Sequence, residues 1–185
     1  FSAAFVPLFT RHMFERGHDA ARQFAQEVLS VLVVAILFFV TMLQVAMPWF
    51  MYIFAPGFSD DPFRFDLAVS MAQITFPYLI FISLVSQLGG VLNALGKFAL
   101  AAATPIILIL CLIAALLGLS RFMETPGQAL GWGVTAAGAA QFVWLILACH
   151  QANFKLFLFR PRFTPRVKNL LKLMLPGAIG AGVVQ

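Results

Sequence analysis

Hydrophobic residues in this chain occur in long runs that short polar segments separate. Four runs, at 28–54, 67–95, 98–119 and 129–150, each hold enough apolar residues for a transmembrane helix, which needs about 20. Two shorter apolar pieces, at 1–10 and 173–185, look like parts of two further helices. The pattern predicts an all-α integral membrane protein, a bundle with four complete transmembrane helices and parts of two more.

Proline interrupts three of the predicted helices. Pro48, Pro77 and Pro105 each lie within an apolar run, where a proline lacks the N–H that an unbroken helix requires. We expect a kink at each, and these three prolines are candidate helix hinges. Pro7 lies where the first apolar piece would finish or kink.

The segment 11–27 mixes acidic and basic residues, which predicts a solvated loop or a short surface helix. It contains His12 and His18, which would allow a pH switch or a metal site. Because no third ligand lies nearby at metal-binding spacing, we predict no metal site there.

The run 67–95 has two different faces near its end. Six small, polar or charged residues fall within about 120° of a helical wheel: Ser83, Ser86, Gln87, Gly90, Asn93 and Lys97. The opposite side is apolar and suits lipid: Leu84, Val85, Leu88, Val91, Leu92 and Leu95. The polar face either packs against another helix or lines a hydrated substrate cavity. The candidate cavity-lining residues are Ser83, Ser86, Gln87 and Asn93.

A second face of small residues opens the run 129–150. Gly127, Gly131, Thr135 and Gly138 follow one another at spacings of four, four and three. Small residues at such spacings let the backbones of two membrane helices approach closely. We therefore expect a tight helix contact along this face.

The composition indicates that lipid, rather than water, surrounds the helices. The chain of 185 residues is 62% hydrophobic and 10% charged, whereas soluble domains carry about 25% charged residues. Its net charge of +5 does not indicate that the chain binds nucleic acid, because the basic residues lie between apolar runs.

The loops between the predicted helices must alternate between the two sides of the membrane. This alternation places ten Lys or Arg on one side and two on the other. The basic side is predicted to be cytoplasmic.

A basic and aromatic segment follows the fourth predicted helix. It carries four phenylalanines, no acidic residue and the basic side chains Lys155, Arg160, Arg162, Arg166 and Lys168. Such interleaving is also typical of proteins that bind single-stranded nucleic acid. Between two membrane helices, contact with interfacial lipid is the better interpretation, with Phe at the headgroup boundary and Lys or Arg on phosphates.

Catalytic chemistry has no recognisable signature in this sequence. Cys111 and Cys149 show neither metal-ligand nor redox spacing. The apolar runs contain no carboxylate pair, nucleophile–base set or phosphate loop. We predict no catalytic residue, no metal and no cofactor, so an enzyme is the least favoured class.

Several short motifs, in order, resemble those of the MurJ (MviN) family, which consists of lipid II flippases of the bacterial inner membrane. The family belongs to the multidrug/oligosaccharidyl-lipid/polysaccharide exporter superfamily. The first motif is Phe1-Ser2-Ala3-Ala4-Phe5-Val6-Pro7, and further matches cover 55–58, 74–78, 88–94 with 97–98, 129–134 and 176–185. Together they extend over essentially the whole chain.

The resemblance implies an internal fragment of a transporter with about fourteen helices in two lobes and alternating access. Residues 1–150 would belong to the N-terminal lobe, from the end of helix two through helix six. Residues 151–169 would form a cytoplasmic connector, and 170–185 would start helix seven. The family's cationic cavity relies on arginines in segments outside this chain, so no motif assigns a headgroup-binding residue here.

By resemblance, the substrate would be lipid II, the undecaprenyl-pyrophosphate-linked muropeptide of peptidoglycan synthesis, in a multi-pass protein of the inner membrane. Membrane lipids and cell-wall synthesis proteins are the expected partners. Two alternatives stay open. One is an exporter of other undecaprenyl-linked polysaccharide precursors or of drugs, and the other is a membrane scaffold that recruits cell-wall enzymes through the basic connector.

Overall fold

The computed structural model describes residues 2–55, 57, 62–123, 125–154, 156, 164, 167, 170 and 172. Regular structure in these residues is helical. The helices are α1 (Ser2–Val45), α2 (Met47–Phe54), α3 (Pro62–Thr75), α4 (Tyr78–Ala94), α5 (Phe98–Ala102), α6 (Thr104–Gly118) and α7 (Pro126–Gln151).

Four helical stretches within the described residues are long and apolar enough to cross a membrane. They are Ala4–Val45, Pro62–Ala94, Phe98–Gly118 and Pro126–Gln151. The predicted all-α membrane fold is therefore confirmed. The fourth stretch begins at Pro126 rather than near residue 129, because proline is well suited to the first turn of a helix.

The three predicted proline breaks are present. Pro48 lies in the first turn of α2, Pro77 lies between α3 and α4, and Pro105 lies in the first turn of α6. Each proline removes an N–H donor, and its ring collides with the carbonyl one turn earlier. Two of the membrane stretches, Pro62–Ala94 and Phe98–Gly118, thus each consist of two shorter helices, while the hinge role of the three prolines stays a prediction.

The expectation of a loop or short surface helix at 11–27 is wrong. The segment is helical on both sides of Gly17, and Gly17, with φ 84° and ψ 178°, separates two helical parts of α1, the first of which continues through Pro7. Glycine adopts that conformation at no steric cost. Beyond Gly17, Ala21, Phe24 and Ala25 are fully buried. They lie on one face of the helix, and that face packs against protein.

One compact unit comprises Phe1–Val34, Leu84–Ala102 and Trp144–Gln185. Its described core is aromatic. The ring centroid of Phe5 lies 5.8 Å from that of Phe24 in a stacked arrangement, and 5.6 Å from that of Phe9. Val91 from α4 belongs to the same core. These contacts join the two parts of α1 that Gly17 separates.

A turn in the same unit ends α4. Gly96 adopts φ 74°, and the N–H of Lys97 donates to the carbonyl of Leu92 at 2.8 Å. This is the arrangement in which a left-handed glycine ends a helix. A turn at Gly96 and Lys97 therefore separates α4 from α5.

A second compact unit comprises Ala35–Ser83 and Ala103–Val143. Here the predicted small-residue face of α7 lies against α3 and α4. Gly131 faces Ile74, Gly138 faces Tyr78 and Phe81, and the hydroxyl of Thr135 donates to the carbonyl of Ile74 at 2.7 Å. The close helix contact predicted from this face is confirmed.

Gly138→Ala should destabilise the intact protein, because a Cβ at this position would lie 2.8 Å from both Tyr78 and Phe81. Overpacking of this kind costs about 1–3 kcal/mol. Gly118→Ala is the matched control, since no atom lies within 4 Å of the Cβ it would add. Melting temperatures in detergent measure both effects, and equal values for the two variants would contradict the close contact.

Candidate functional site

Gln87 lies at the centre of the polar face of α4. Its side chain is 0% exposed, and Nε2 donates to the carbonyl oxygen of Ala25 in α1 at 2.8 Å. Its Oε1 is buried and accepts no hydrogen bond from any described residue. Gln87 therefore links α4 to the main chain of α1 through its Nε2. Its Oε1 has no donor among the described residues.

Gly90, one turn further along, brings the same two helices close together. A Cβ at this position would lie 3.2 Å from the Phe5 ring and 3.5 Å from Val6. The missing side chain therefore leaves room for Phe5 against the backbone of α4. At Gln87 and Gly90, the polar face is a helix-packing surface.

The other polar residues of the face have different environments. Ser83 is half-buried, and its hydroxyl donates to the carbonyl of Leu79 in its own helix at 2.7 Å. Ser86 is half-buried too, whereas Asn93 and Lys97 are exposed. The described residues therefore leave Asn93 accessible and enclose Gln87. That Ser83, Ser86, Gln87 and Asn93 line a cavity stays a prediction.

The expectation that the opposite side of α4 faces lipid is wrong for most of its residues. At most 6% of each side chain is exposed at Leu84, Val85, Leu88, Val91 and Leu92. Lipid tails are as apolar as leucine, so helical periodicity does not distinguish a lipid-facing side from one that packs on protein. Between Leu84 and Leu92, the apolar side of α4 therefore packs on protein.

The end of α7 is fastened to α1 by a side chain that sequence patterns did not single out. Asn153 adopts φ 55°, and the N–H of Phe154 donates to the carbonyl of Cys149 at 2.9 Å, which ends the helix. The Nη2 of Arg22 donates to the carbonyl of Asn153 at 3.3 Å. Its guanidinium carbon lies 5.8 Å from the centroid of the Phe154 ring, within cation–π range.

Phe154 itself lies in protein, and the expectation that it sits at the headgroup boundary is wrong. The side chain is 2% exposed, and its ring meets that of Phe9 edge-on, with centroids 5.6 Å apart. Phe9 is nearly 150 positions earlier in the chain, so local pattern gave no sign of this contact.

A second contact joins α1 to the segment after α7. The hydroxyl of Thr164 donates to Oε2 of Glu27 at 2.8 Å, while Oε1 of Glu27 accepts from Gln23 at 3.2 Å. Val167 and Leu170 belong to the aromatic core of the same unit. The candidate lipid-contact residues Lys155, Arg160, Arg162, Arg166 and Lys168 lie outside the described residues, and their interfacial role stays a prediction.

The hydrophobic pattern did not single out two further glutamines, although their distance from a proline distinguishes them in the sequence. Gln44 precedes Pro48 by four positions, and Gln73 precedes Pro77 by four. The repeated spacing is the signal, because a proline leaves the carbonyl four residues earlier without its usual donor. The structure brings these two glutamines together.

Comparison with known proteins gives a consistent result. The family model described as lipid II flippase MurJ matches residues 1–185. The chain is 41% identical to the probable lipid II flippase MurJ of Rhizobium tropici, over 100% of this chain and 36% of that protein. It is 40% identical to the one from Rhizobium meliloti, over 100% and 35%. For the lipid II flippase MurJ of Burkholderia cenocepacia, the values are 31% identity over 100% and 37%. The chain thus spans about a third of the length of the curated relatives it matches.

Phe154→Ala should destabilise the intact protein by about 3 kcal/mol, because it removes a buried aromatic side chain and leaves a cavity. Phe14→Ala is the matched control. It removes the same group from a side chain that is 85% exposed, and we expect a change within about 0.5 kcal/mol. Thermal unfolding in detergent compares the two variants. Equal small losses would place Phe154 in the headgroup region instead.

Proposed function

Because this chain belongs to the lipid II flippase MurJ family, we propose that it forms part of the N-terminal lobe of a lipid II flippase. The intact protein would move lipid II from the inner to the outer leaflet of the bacterial cytoplasmic membrane. The observation that carries the proposal is the family match over all 185 residues. The four apolar helical stretches support a multi-pass membrane protein.

The substrate sets the physical requirement. A pyrophosphate-linked sugar loses its hydration in hydrocarbon, at a large cost in free energy unless polar groups replace the water. The polyprenyl tail needs no such replacement. A flippase therefore needs a membrane helix with polar groups for the head beside apolar surface for the tail.

Helix α4 has features that suit this task. Asn93 is exposed and carries both donor and acceptor atoms for sugar hydroxyls. Gln87 keeps a buried acceptor that no described residue uses. Ser83 and Ser86 are half-buried on the same face. We assign these four residues to the cavity wall, with Asn93 in direct contact with the headgroup.

Transport by alternating access also needs places where the helices bend. The breaks at Pro77 and Pro105 divide two of the membrane stretches into shorter helices, and the break at Pro48 follows the first stretch. Hinge motions concentrate at such element ends. We assign the hinges to these three prolines. The ten Lys or Arg on one side of the predicted topology orient that side toward the cytoplasm.

Asn93→Leu in the intact protein should lower lipid II translocation by about three- to tenfold, the equivalent of one lost hydrogen bond in transport. The double variant with Gln87→Leu should lose more. Translocation in vesicles and growth of flippase-depleted cells are the measurements. Gln151→Leu is the control, because Gln151 is exposed and belongs to another helix, at the end of α7.

Protein accumulation must be measured alongside, since Gln87 also bonds Ala25. Full complementation by Asn93→Leu and by the double variant would reject the cavity assignment. Vesicles that translocate other undecaprenyl-linked sugars but not lipid II would reject the proposed substrate.

A further inference from the structure

Two carbonyl groups in the second unit lose their helical donors to proline. In an α-helix, the carbonyl of one residue accepts from the N–H four positions later. For Gln44 that position is Pro48, and for Gln73 it is Pro77. Proline has no N–H. The main-chain carbonyls of Gln44 and Gln73 therefore need donors from elsewhere.

The side chains of the same two residues supply those donors. Nε2 of Gln44 donates to the carbonyl of Gln73 at 2.8 Å, and Nε2 of Gln73 donates to the carbonyl of Gln44 at 3.4 Å. Each amide thus replaces the N–H that the proline of the other helix withholds. We propose that Gln44 and Gln73 form a reciprocal glutamine clasp that couples the helix breaks at Pro48 and Pro77.

The clasp matters because its two carbonyls lie in stretches that lipid would surround. Hydrocarbon offers no water to an unpaired carbonyl, so proline breaks in membrane helices persist where neighbouring groups satisfy the freed main chain. In the clasp, each residue is at once donor and acceptor. Separating the two breaks would therefore leave both carbonyls without these donors at the same moment. The two breaks consequently hold together or release together, and neither acts as an independent hinge.

A third contact fixes the position of one break. The carbonyl of Ile74, next to Gln73, accepts from the hydroxyl of Thr135 in α7 at 2.7 Å. The end of α3 is thus held from two directions, by α1 through the clasp and by α7 through Thr135. The clasp requires only that the carbonyls of Gln44 and Gln73, which both belong to apolar helical stretches, lie in the membrane. It does not depend on which substrate is transported.

The clasp predicts a crossed pattern of rescue in the purified full-length protein. Gln44→Leu leaves the carbonyl of Gln73 without its side-chain donor, and Pro77→Ala restores a main-chain N–H for that carbonyl. Gln73→Leu leaves the carbonyl of Gln44 without its side-chain donor, and Pro48→Ala restores a main-chain N–H for that carbonyl. Each leucine variant should lower the melting temperature by about 1–3 °C. The matching alanine should recover most of the loss, and the other alanine should not.

The non-matching proline variant serves as the control within each pair. Where a leucine variant fails to accumulate, accumulation replaces melting temperature as the measurement, and only the matching alanine should restore it. Unchanged melting temperatures in both leucine variants would overturn the clasp, as would rescue by either alanine alike or by neither. The measurement uses no substrate, so its failure is distinct from a failure of the flippase proposal.

Discussion

The main-chain carbonyl at a helix break is the group on which this structure depends. Inside a membrane it needs a donor from the protein, because lipid provides none. The described residues supply donors from neighbouring helices. The amide of Gln44 donates to the carbonyl of Gln73 at 2.8 Å, the amide of Gln73 donates to the carbonyl of Gln44 at 3.4 Å, and the hydroxyl of Thr135 donates to the carbonyl of Ile74 at 2.7 Å. All three acceptors lie within a few residues of a proline break.

This use of polar side chains changes what they indicate about function. A glutamine in an apolar stretch draws attention as a wall of a substrate path. Gln87 shows that the same residue also holds two helices together through a backbone carbonyl. Within the described part of α4, the side chain with the freest access is that of Asn93, near the end of the helix. On the polar face of α4, Gln87 thus serves helix packing, whereas Asn93 is left accessible.

Sequence alone predicted the features that depend on local rules. Proline chemistry located the three breaks, and the spacing of small residues located the face of α7 that makes a close helix contact, although not its partners α3 and α4. The apolar face at Ala21, Phe24, Ala25 and Val28 follows the i, i+3, i+4, i+7 pattern of a helix. That signal was available, but the surrounding charges favoured a loop.

Other features could not be predicted, because they depend on contacts between distant parts of the chain. Periodicity does not tell lipid from protein at Leu88 or Val91, since both surroundings are apolar. The position of Phe154 follows from Phe9 and Arg22, which lie far away in sequence. The pairing of Gln44 with Gln73 likewise needed the fold, although the spacing from each glutamine to its proline did not.

An experimental structure of the full-length protein in lipid, with side chains resolved around Pro48 and Pro77, tests the account most directly. It should show Nε2 of Gln44 within 3.5 Å of the Gln73 carbonyl and Nε2 of Gln73 within 3.5 Å of the Gln44 carbonyl, in line with the 2.8 Å and 3.4 Å found here. Both amides turned away, with the two carbonyls served by other groups, would contradict it.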